Sequence, residues 1–262
     1  MDCQESPVPY FPYVLKKISE YFPDKKNIRV LDYGCGNGEL VRYLIGNGHD
    51  AYGADVDTFF DDFYSYTDKE LLASKRIVVI DADGKGDLPD RTFDVVISNM
   101  VIEHVQDKEH LFSAMMRYMS DKGIAVLFYP LFESIREGHI RQFFIHWIPK
   151  GRLRKYAAYL QKYLRIPRDN GGNANIHEFV KEKVGIVDDS CFYETNWAIN
   201  RHLEKYFDFS HFETEYFIFR AKQKKKFWLV PLLELFSRTG LTDLVFRIYT
   251  GAVVVAKKKG TL

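Results

Sequence analysis

The stretch "LDYGCGNGEL", Leu31–Leu40, decides how the rest of the chain is read. It follows a short apolar run, "IRV" (28–30), and leads into Leu40, Val41, Leu44 and Ile45, which share one helical face before "GNG" (46–48) stops the helix. A glycine-rich turn between a strand and a helix commonly holds part of a nucleotide-like ligand. Glycine can also answer a purely conformational need at such a turn, so the spacing has to discriminate. A dinucleotide fingerprint needs glycine at the first, third and sixth positions. Here those positions are Gly34, Gly36 and Glu39, and the third glycine is Gly38. The resulting G-x-G-x-G, with Asp32 just before it, suits a ligand carrying ammonium or sulfonium charge better than one carrying a pyrophosphate.

Working outward, strand-like runs recur between amphipathic segments: "AYGAD" (51–55), "RIVVI" (76–80), "FDVVISNM" (93–100) and "GIAVLFYP" (123–130). Several are continuously apolar, as parallel strands are when helices cover both faces. Between the last two, Leu111, Phe112, Met115, Met116 and Met119 recur at helical spacing and read as core. This rhythm predicts an α/β, doubly wound sheet with ligands outside the carboxyl ends of its strands. Beyond residue 130, 148–168 reads as a helix, "DNGGNAN" (169–175) as a loop, and 195–207 as a capped helix with Leu203 and Phe207 inward. "TEYFIFRA" (214–221) and "AVVVAKK" (252–258) read as two further strands.

Composition narrows the function. With 262 residues, 46% of them apolar, and a formal net charge of +1, the chain reads as a single folded domain without the basic excess of a nucleic-acid binder. The start lacks a secretory apolar region, and the longest apolar run, "FWLVPLLELF" (227–236), is too short to span a bilayer and contains Glu234. Cys3, Cys35 and Cys191 are far apart, and no H-x-E or C-x-x-C spacing occurs, so neither a disulfide framework nor a metal is expected. A cytoplasmic location is the simplest expectation.

The acids after the strands sharpen the ligand. Asp55 ends the second strand, where a carboxylate can accept from both ribose hydroxyls, and Asp81 or Asp83 follows the third, where the exocyclic amine of adenine would lie. Asp94, beside Phe93, is expected to order a turn. Taken together, "VLDYGCGNGEL", "YGADVD" and "DADGKGDLPDRTFDVVISNMVIEHV" resemble the class I S-adenosylmethionine-dependent methyltransferases over roughly 27–130. The resemblance implies a Rossmann-like, seven-stranded, mostly parallel sheet with an antiparallel last strand. It assigns 27–130 to the cofactor-binding half, 131–213 to a substrate-side insertion after strand 5, and 214–262 to the final strand pair. A helical insertion, 224–250, separates strands 6 and 7. Asp32, Gly34, Gly36 and Gly38 would surround the methionine part of S-adenosylmethionine, and Asp55 with Val56 would hold the ribose. Asp81 with Ala82, or Asp83 with Gly84, would meet the adenine. Asn99 and Met100 would border the sulfonium.

The methyl acceptor is less legible. Methyl transfer needs donor and acceptor held at attack distance, and a hydroxyl acceptor also needs its proton removed. Glu103 and His104, after the fourth strand, stand at the correct sheet edge, and the resemblance places such a pair there. The alternative is a helix-start glutamate favoured by the dipole with a packed histidine. His139 and His146, in "REGHIRQFFIHWIP", are further candidates against a packed-histidine reading, with Tyr193, Asn196 and His177 behind them. "SNMV" stands where amino-group nucleic-acid methylases carry Asn-Pro-Pro-aromatic, so the expected acceptor is a small molecule, at a hydroxyl oxygen, of sugar or lipid-linked saccharide type. The acid-free basic run at 148–168 would suit an anionic partner. Apolar nearly all round, 224–250 must bury in the core or as a lid, in a homodimer, or against a membrane that its lysines approach and Trp228 enters, at the inner face. A cofactor-binding sensor without catalysis is the alternative function, and a nicotinamide oxidoreductase is disfavoured by the glycine spacing.

Overall fold

The computed structural model describes residues 8–57, 63–167 and 175–260. Of the expected loop at 169–175, only Asn175 is among them, and Cys3 and Arg168 lie outside them. Helix α1 (Phe11–Tyr21) precedes β1 (Arg29–Tyr33), α2 (Glu39–Gly46), β2 (Asp50–Asp55), the short α3 (Phe63–Tyr66) and α4 (Lys69–Ala73), and β3 (Ile77–Val79). Then follow β4 (Phe93–Asn99), α5 (Lys108–Tyr118) and β5 (Met119–Tyr129). The excursion after β5 carries α6 (Arg152–Tyr163), α7 (Ile176–Ser190) and α8 (Asn196–Leu203). Strand β6 (Phe207–His211), helices α9 (Glu213–Gln223), α10 (Val230–Ser237) and α11 (Leu241–Tyr249), and β7 (Ala252–Lys258) complete the chain.

The strands form one seven-stranded sheet in the order β3-β2-β1-β4-β5-β7-β6. Strands β1 to β5 pair in parallel, and β7 runs antiparallel to both neighbours. Alternation sends Val30, Val95, Val126 and Val255 to a layer shared with α1, α2 and Tyr216 of α9. Leu31, Val96, Leu127 and Val254 point the other way, toward Phe112 and Met115 of α5 and Leu203 of α8. Each such side chain taken fully out of water contributes about 1.5–3 kcal/mol. The methionine and aromatic stripe of α5 is therefore core, as its spacing implied. Asp94 is buried at the opposite end of β4, accepting from Arg29 N at 2.9 Å and pairing with Lys25 at 2.5 Å, a structural role.

Two expectations are corrected. Residues 214–221 form helix α9, not the sixth strand, which is Phe207–His211. Consecutive aromatics satisfy strand propensity, and eight residues are too few for the period to decide. The ends of α9 explain the outcome, since Glu213 and Glu215 lie in its first turn and Arg220 and Lys222 in its last, complementing the helix dipole. Residues 224–250 do form a helical insertion between strands 6 and 7, but they are not core. Only Leu233, Thr242 and Phe246 of them are buried, while Phe227, Trp228 and Leu235 are 61–75% exposed. Among the described residues, no helix is long and apolar enough to cross a membrane.

Candidate active site

At the carboxyl ends of β1, β2 and β4 the sheet opens into a cavity of about 430 Å³. The glycine turn forms its floor. Gly34 has φ +87°, and a Cβ there would lie 2.1 Å from Val101 Cγ2, so only glycine lets the turn pass beneath the segment that carries Glu103 and His104. Gly36 N donates to Asp55 Oδ2 at 2.6 Å, while Asp55 Oδ1 accepts from Val56 N at 2.8 Å. One carboxylate thereby locks the ends of β1 and β2 together. Gly34, Gly36, Asp55 and Val56 all line the cavity.

Other expected cofactor residues separate into those at the cavity and those behind it. Asp81, Ala82 and Gly84 line it, whereas the Asp83 side chain is 66% exposed and turns out to pair with Lys85. Asp81 Oδ1 accepts from the backbone N–H groups of Asp83 and Lys85 at 2.9 and 2.8 Å, which shapes this loop. Met100 lines the cavity with φ +57°, an uncommon conformation for a non-glycine residue. Asn99, Asp32 and Gly38 do not line it. Gly38 begins α2, with φ +87°, under Ile77. Asp32 is 3% exposed beneath the turn. Burial, and then the charge of Asp55, push the Asp32 carboxyl well above the usual carboxylate range. Burial likewise raises Asp55, against the two backbone donors that favour its charge. A buried and a half-buried acid whose ionisation is disfavoured would both be relieved by a cationic ligand.

The far wall is histidine. His104 and His139 both line the cavity, and their Nε2 atoms are 3.1 Å apart. His104 Nδ1 lies 2.7 Å from the Ser190 carbonyl, so it donates there and leaves Nε2 as acceptor. His139 Nδ1 donates to Glu137 Oε1 at 2.7 Å, and its Nε2 donates to His104. His139 is thus the charged member of the pair. Burial opposes that charge, but Cys191 and Glu137 outweigh it and push His139 to about 10. Burial and the neighbouring His139 lower His104. Glu137 is buried, and although burial alone would raise its carboxyl, bonds from His139 and Tyr193 hold it below the usual range. Tyr193 donates to Glu137 Oε1 at 2.5 Å, and Ile140 N to Oε2 at 2.7 Å. Glu103 lies beside His104, 1% exposed, with neither carboxylate oxygen hydrogen-bonded, and burial lifts it to about 7.

Other catalytic candidates lie elsewhere. His146 is buried, donates from Nε2 to Phe132 O at 3.0 Å and packs on Tyr193 with ring centroids 5.0 Å apart, so it is a packing residue. His177 is exposed on α7, and Asn196 begins α8 with its N–H on Glu133. Sequence reasoning missed Glu137 and Cys191. The only signal was Glu137 two residues before His139 in "REGH". The 190–193 segment reaches the site because Phe192 N donates to Glu103 O at 2.6 Å and buried Lys108 bridges the carbonyls of Val105 and Phe192.

Residues 10–171 match the model of a family described as "Methyltransferase domain". A ubiquinone biosynthesis O-methyltransferase of Rickettsia canadensis is 21% identical over 199 residues, covering 73% of this chain and 79% of that protein. A counterpart of the same name from Rickettsia bellii is 22% identical over 144 residues, and the chain spans 58% of its length. Among solved structures, Haemonchus contortus phosphoethanolamine N-methyltransferase 2 in complex with S-adenosyl-L-methionine superposes with a TM-score of 0.50 at 15% identity, covering 94% of this chain and 52% of that one. That likeness concerns the fold.

Proposed function

This chain belongs to the methyltransferase domain family and takes S-adenosylmethionine as its cofactor, and on that premise we propose that it methylates a hydroxyl oxygen of a small acceptor held at His104 and His139. Asp55 would hold the cofactor's ribose, Asp81 and Ala82 its adenine, and Gly34 and Gly36 its methionine part. The cationic ligand would favour the charged form of Asp32 beneath the turn, and Met100 would border the sulfonium. In the transfer the acceptor oxygen forms a bond to the methyl carbon, the carbon–sulfur bond breaks, and its electron pair neutralises the sulfonium. The acceptor's proton would pass to the histidine pair in its neutral form, once His139 has given up the proton it shares with His104, and the Glu137 carboxylate would orient and stabilise the charge that results.

The observation that carries this reading is that the Glu137–His139–His104 chain opens into the same cavity as Asp55 and the glycine turn. An amine needs its proton removed only when it arrives as the ammonium ion, whereas a hydroxyl always does, so the chain favours a hydroxyl. The test is S-adenosylhomocysteine release across phenolic, saccharide and amine acceptors, with His104→Asn as the control. Removing a proton acceptor of this kind costs about 10²–10⁴-fold in rate. Turnover confined to amines, or a His104→Asn variant as active as the parent, would overturn the hydroxyl assignment. Binding of S-adenosylhomocysteine without turnover of any acceptor would favour a sensor.

A lipid-linked acceptor is supported by α6. Its Leu153, Tyr156, Leu160 and Tyr163 form an exposed stripe at helical spacing, flanked by Arg152 and Lys155 and by no acid. Phe227 and Trp228 stand equally exposed after Lys224, Lys225 and Lys226. Sedimentation with anionic vesicles tests this. A parent that stays in the supernatant removes the membrane reading and leaves a water-soluble acceptor, and binding that survives Tyr156→Ser with Trp228→Ser takes these side chains out of it.

A further inference from the structure

We infer that His104, His139 and Cys191, with Glu103 beside them, form a site for a zinc-class divalent ion at the acceptor end of the cavity. One nitrogen of each imidazole and the Cys191 sulfur all lie within 4.8 Å of one another. The two Nε2 atoms, 3.1 Å apart, have nearly the separation of about 3.3 Å that two imidazoles adopt on one tetrahedral zinc with bonds of about 2.05 Å. Each ring is fixed from behind, His104 by the Ser190 carbonyl and His139 by the Glu137 carboxylate, each at 2.7 Å. Metal-ligating histidines are oriented in this way, with the far nitrogen donating to a carbonyl or carboxylate.

A second observation is independent of the rings. Glu103 is 1% exposed and neither of its oxygens has a hydrogen bond, yet Oε1 lies 3.9 Å from His104 Nε2. A buried carboxyl without a donor either takes up a proton or meets a cation, and an ion at the two Nε2 atoms would meet it. The donor set of two imidazoles, a thiol and one carboxylate selects zinc or a neighbouring transition metal over magnesium or calcium, which take oxygen ligands. The spacing rules that argued against a metal were silent here, because the ligands lie 35 and 52 residues apart along the chain.

The cavity side of the site then receives the acceptor hydroxyl. With both Nε2 atoms on the ion the histidines would no longer take the acceptor's proton; coordination would instead weaken the O–H bond, and the proton would leave to solvent as the oxygen binds. The oxygen attacks the methyl carbon while the carbon–sulfur pair returns to sulfur. Where no ion is bound, the His139 proton occupies the same place between the rings, so uptake of the ion releases protons from His139 and the Cys191 thiol. This role rests on the methyl-transfer reading above, whereas ion binding itself does not.

The test measures metal content and the cobalt spectrum of the full chain. The parent should keep one zinc per chain through gel filtration. After cobalt exchange it should show intense visible bands of a tetrahedral ion and a near-ultraviolet sulfur-to-cobalt band, the latter lost in Cys191→Ser. Glu137→Gln, which keeps every ligand, should weaken metal affinity about 10–100-fold. Circular dichroism and S-adenosylhomocysteine calorimetry establish that each variant is folded. Substoichiometric metal in the parent, or an unchanged cobalt spectrum in both Cys191→Ser and His139→Gln, overturns the site. Bound metal with no affinity for S-adenosylhomocysteine would instead refute the methyl-transfer reading and leave the metal site standing.

Discussion

Alanine placed at Gly34 and at Gly36 should damage the protein in two different ways. At Gly34 the new methyl would sit 2.1 Å from Val101 Cγ2 and 3.2 Å from both Val101 Cβ and Cγ1. Carbon atoms prefer about 3.5–4.0 Å, so the overlap exceeds an ångström by roughly half again. Val101 cannot swing aside cheaply, because its branched Cβ restricts χ1 and it immediately precedes the Ile102–His104 turn. Left-handed backbone costs a non-glycine residue about 1–2 kcal/mol, and forced overpacking about 1–3 kcal/mol more. The total of about 2–5 kcal/mol corresponds to roughly 4–20 °C in melting temperature for a chain of this length. At Gly36, with φ +52°, a Cβ meets nothing within 4 Å, so only the backbone cost applies. That residue lines the cavity, where the added methyl would intrude on S-adenosylmethionine held as proposed. Thermal melting and S-adenosylhomocysteine calorimetry on both variants separate the effects. Gly34→Ala should melt far lower than the parent, and Gly36→Ala should melt near it but bind weakly. Equal melting of the two variants would refute the claim that the turn is wedged under Val101.

Asp55→Asn should weaken S-adenosylhomocysteine by about 1.5–3 kcal/mol, roughly 10- to 150-fold, because hydrogen bonds to a charged acceptor are exchanged for bonds to a neutral one. Burial raises the Asp55 carboxyl, so the parent's affinity should start to fall with decreasing pH earlier than for an ordinary aspartate; a dissociation constant that stays unchanged from about pH 8 to about pH 4 would contradict this. Glu213 is fully buried between His211 Nδ1 at 2.9 Å and Arg247 Nε at 2.8 Å, tying the end of β6 to α11. Breaking such a pair by Glu213→Gln should cost about 3–5 kcal/mol. Burial alone would raise this carboxyl, but His211 and Arg247 hold it below the usual range. Its contribution is therefore complete above the unfolded value of about 4.3 and lost as pH falls through the lower folded value. The gap in melting temperature between parent and variant should close on acidification, and a constant gap would show that Glu213 acts by packing alone.

The glycine turn and the acid that locks it were legible because they are local. A strand, a turn of fixed glycine spacing and a helix lie within twenty residues, and the next acid ends the adjacent strand, so Gly34, Gly36 and Asp55 meet whenever β1 and β2 pair. Even there, which face each residue shows was not legible. The spacing could not choose between Asp81 and Asp83, and it placed Gly38 at the ligand although that glycine starts α2. At 214–221 the aromatics suited either a strand or a helix, and the charges at the two ends of α9 together with the packing of Tyr216 on Tyr13 and Phe246 decided.

By itself the sequence determined the parallel strand–helix alternation, the cofactor turn and the acids that follow β2 and β3, since each depends on residues a few positions apart. The tertiary structure decided the acceptor end. His104, His139 and Cys191 come from a turn after β4, the excursion beyond β5 and the end of α7, and no local period relates them. Closure of the excursion over the sheet edge, through Phe192 on Glu103 and Lys108 on Phe192, puts Glu137 behind His139 and leaves Glu103 without a donor. Long-range packing sets those distances, and a linear pattern carries no record of them.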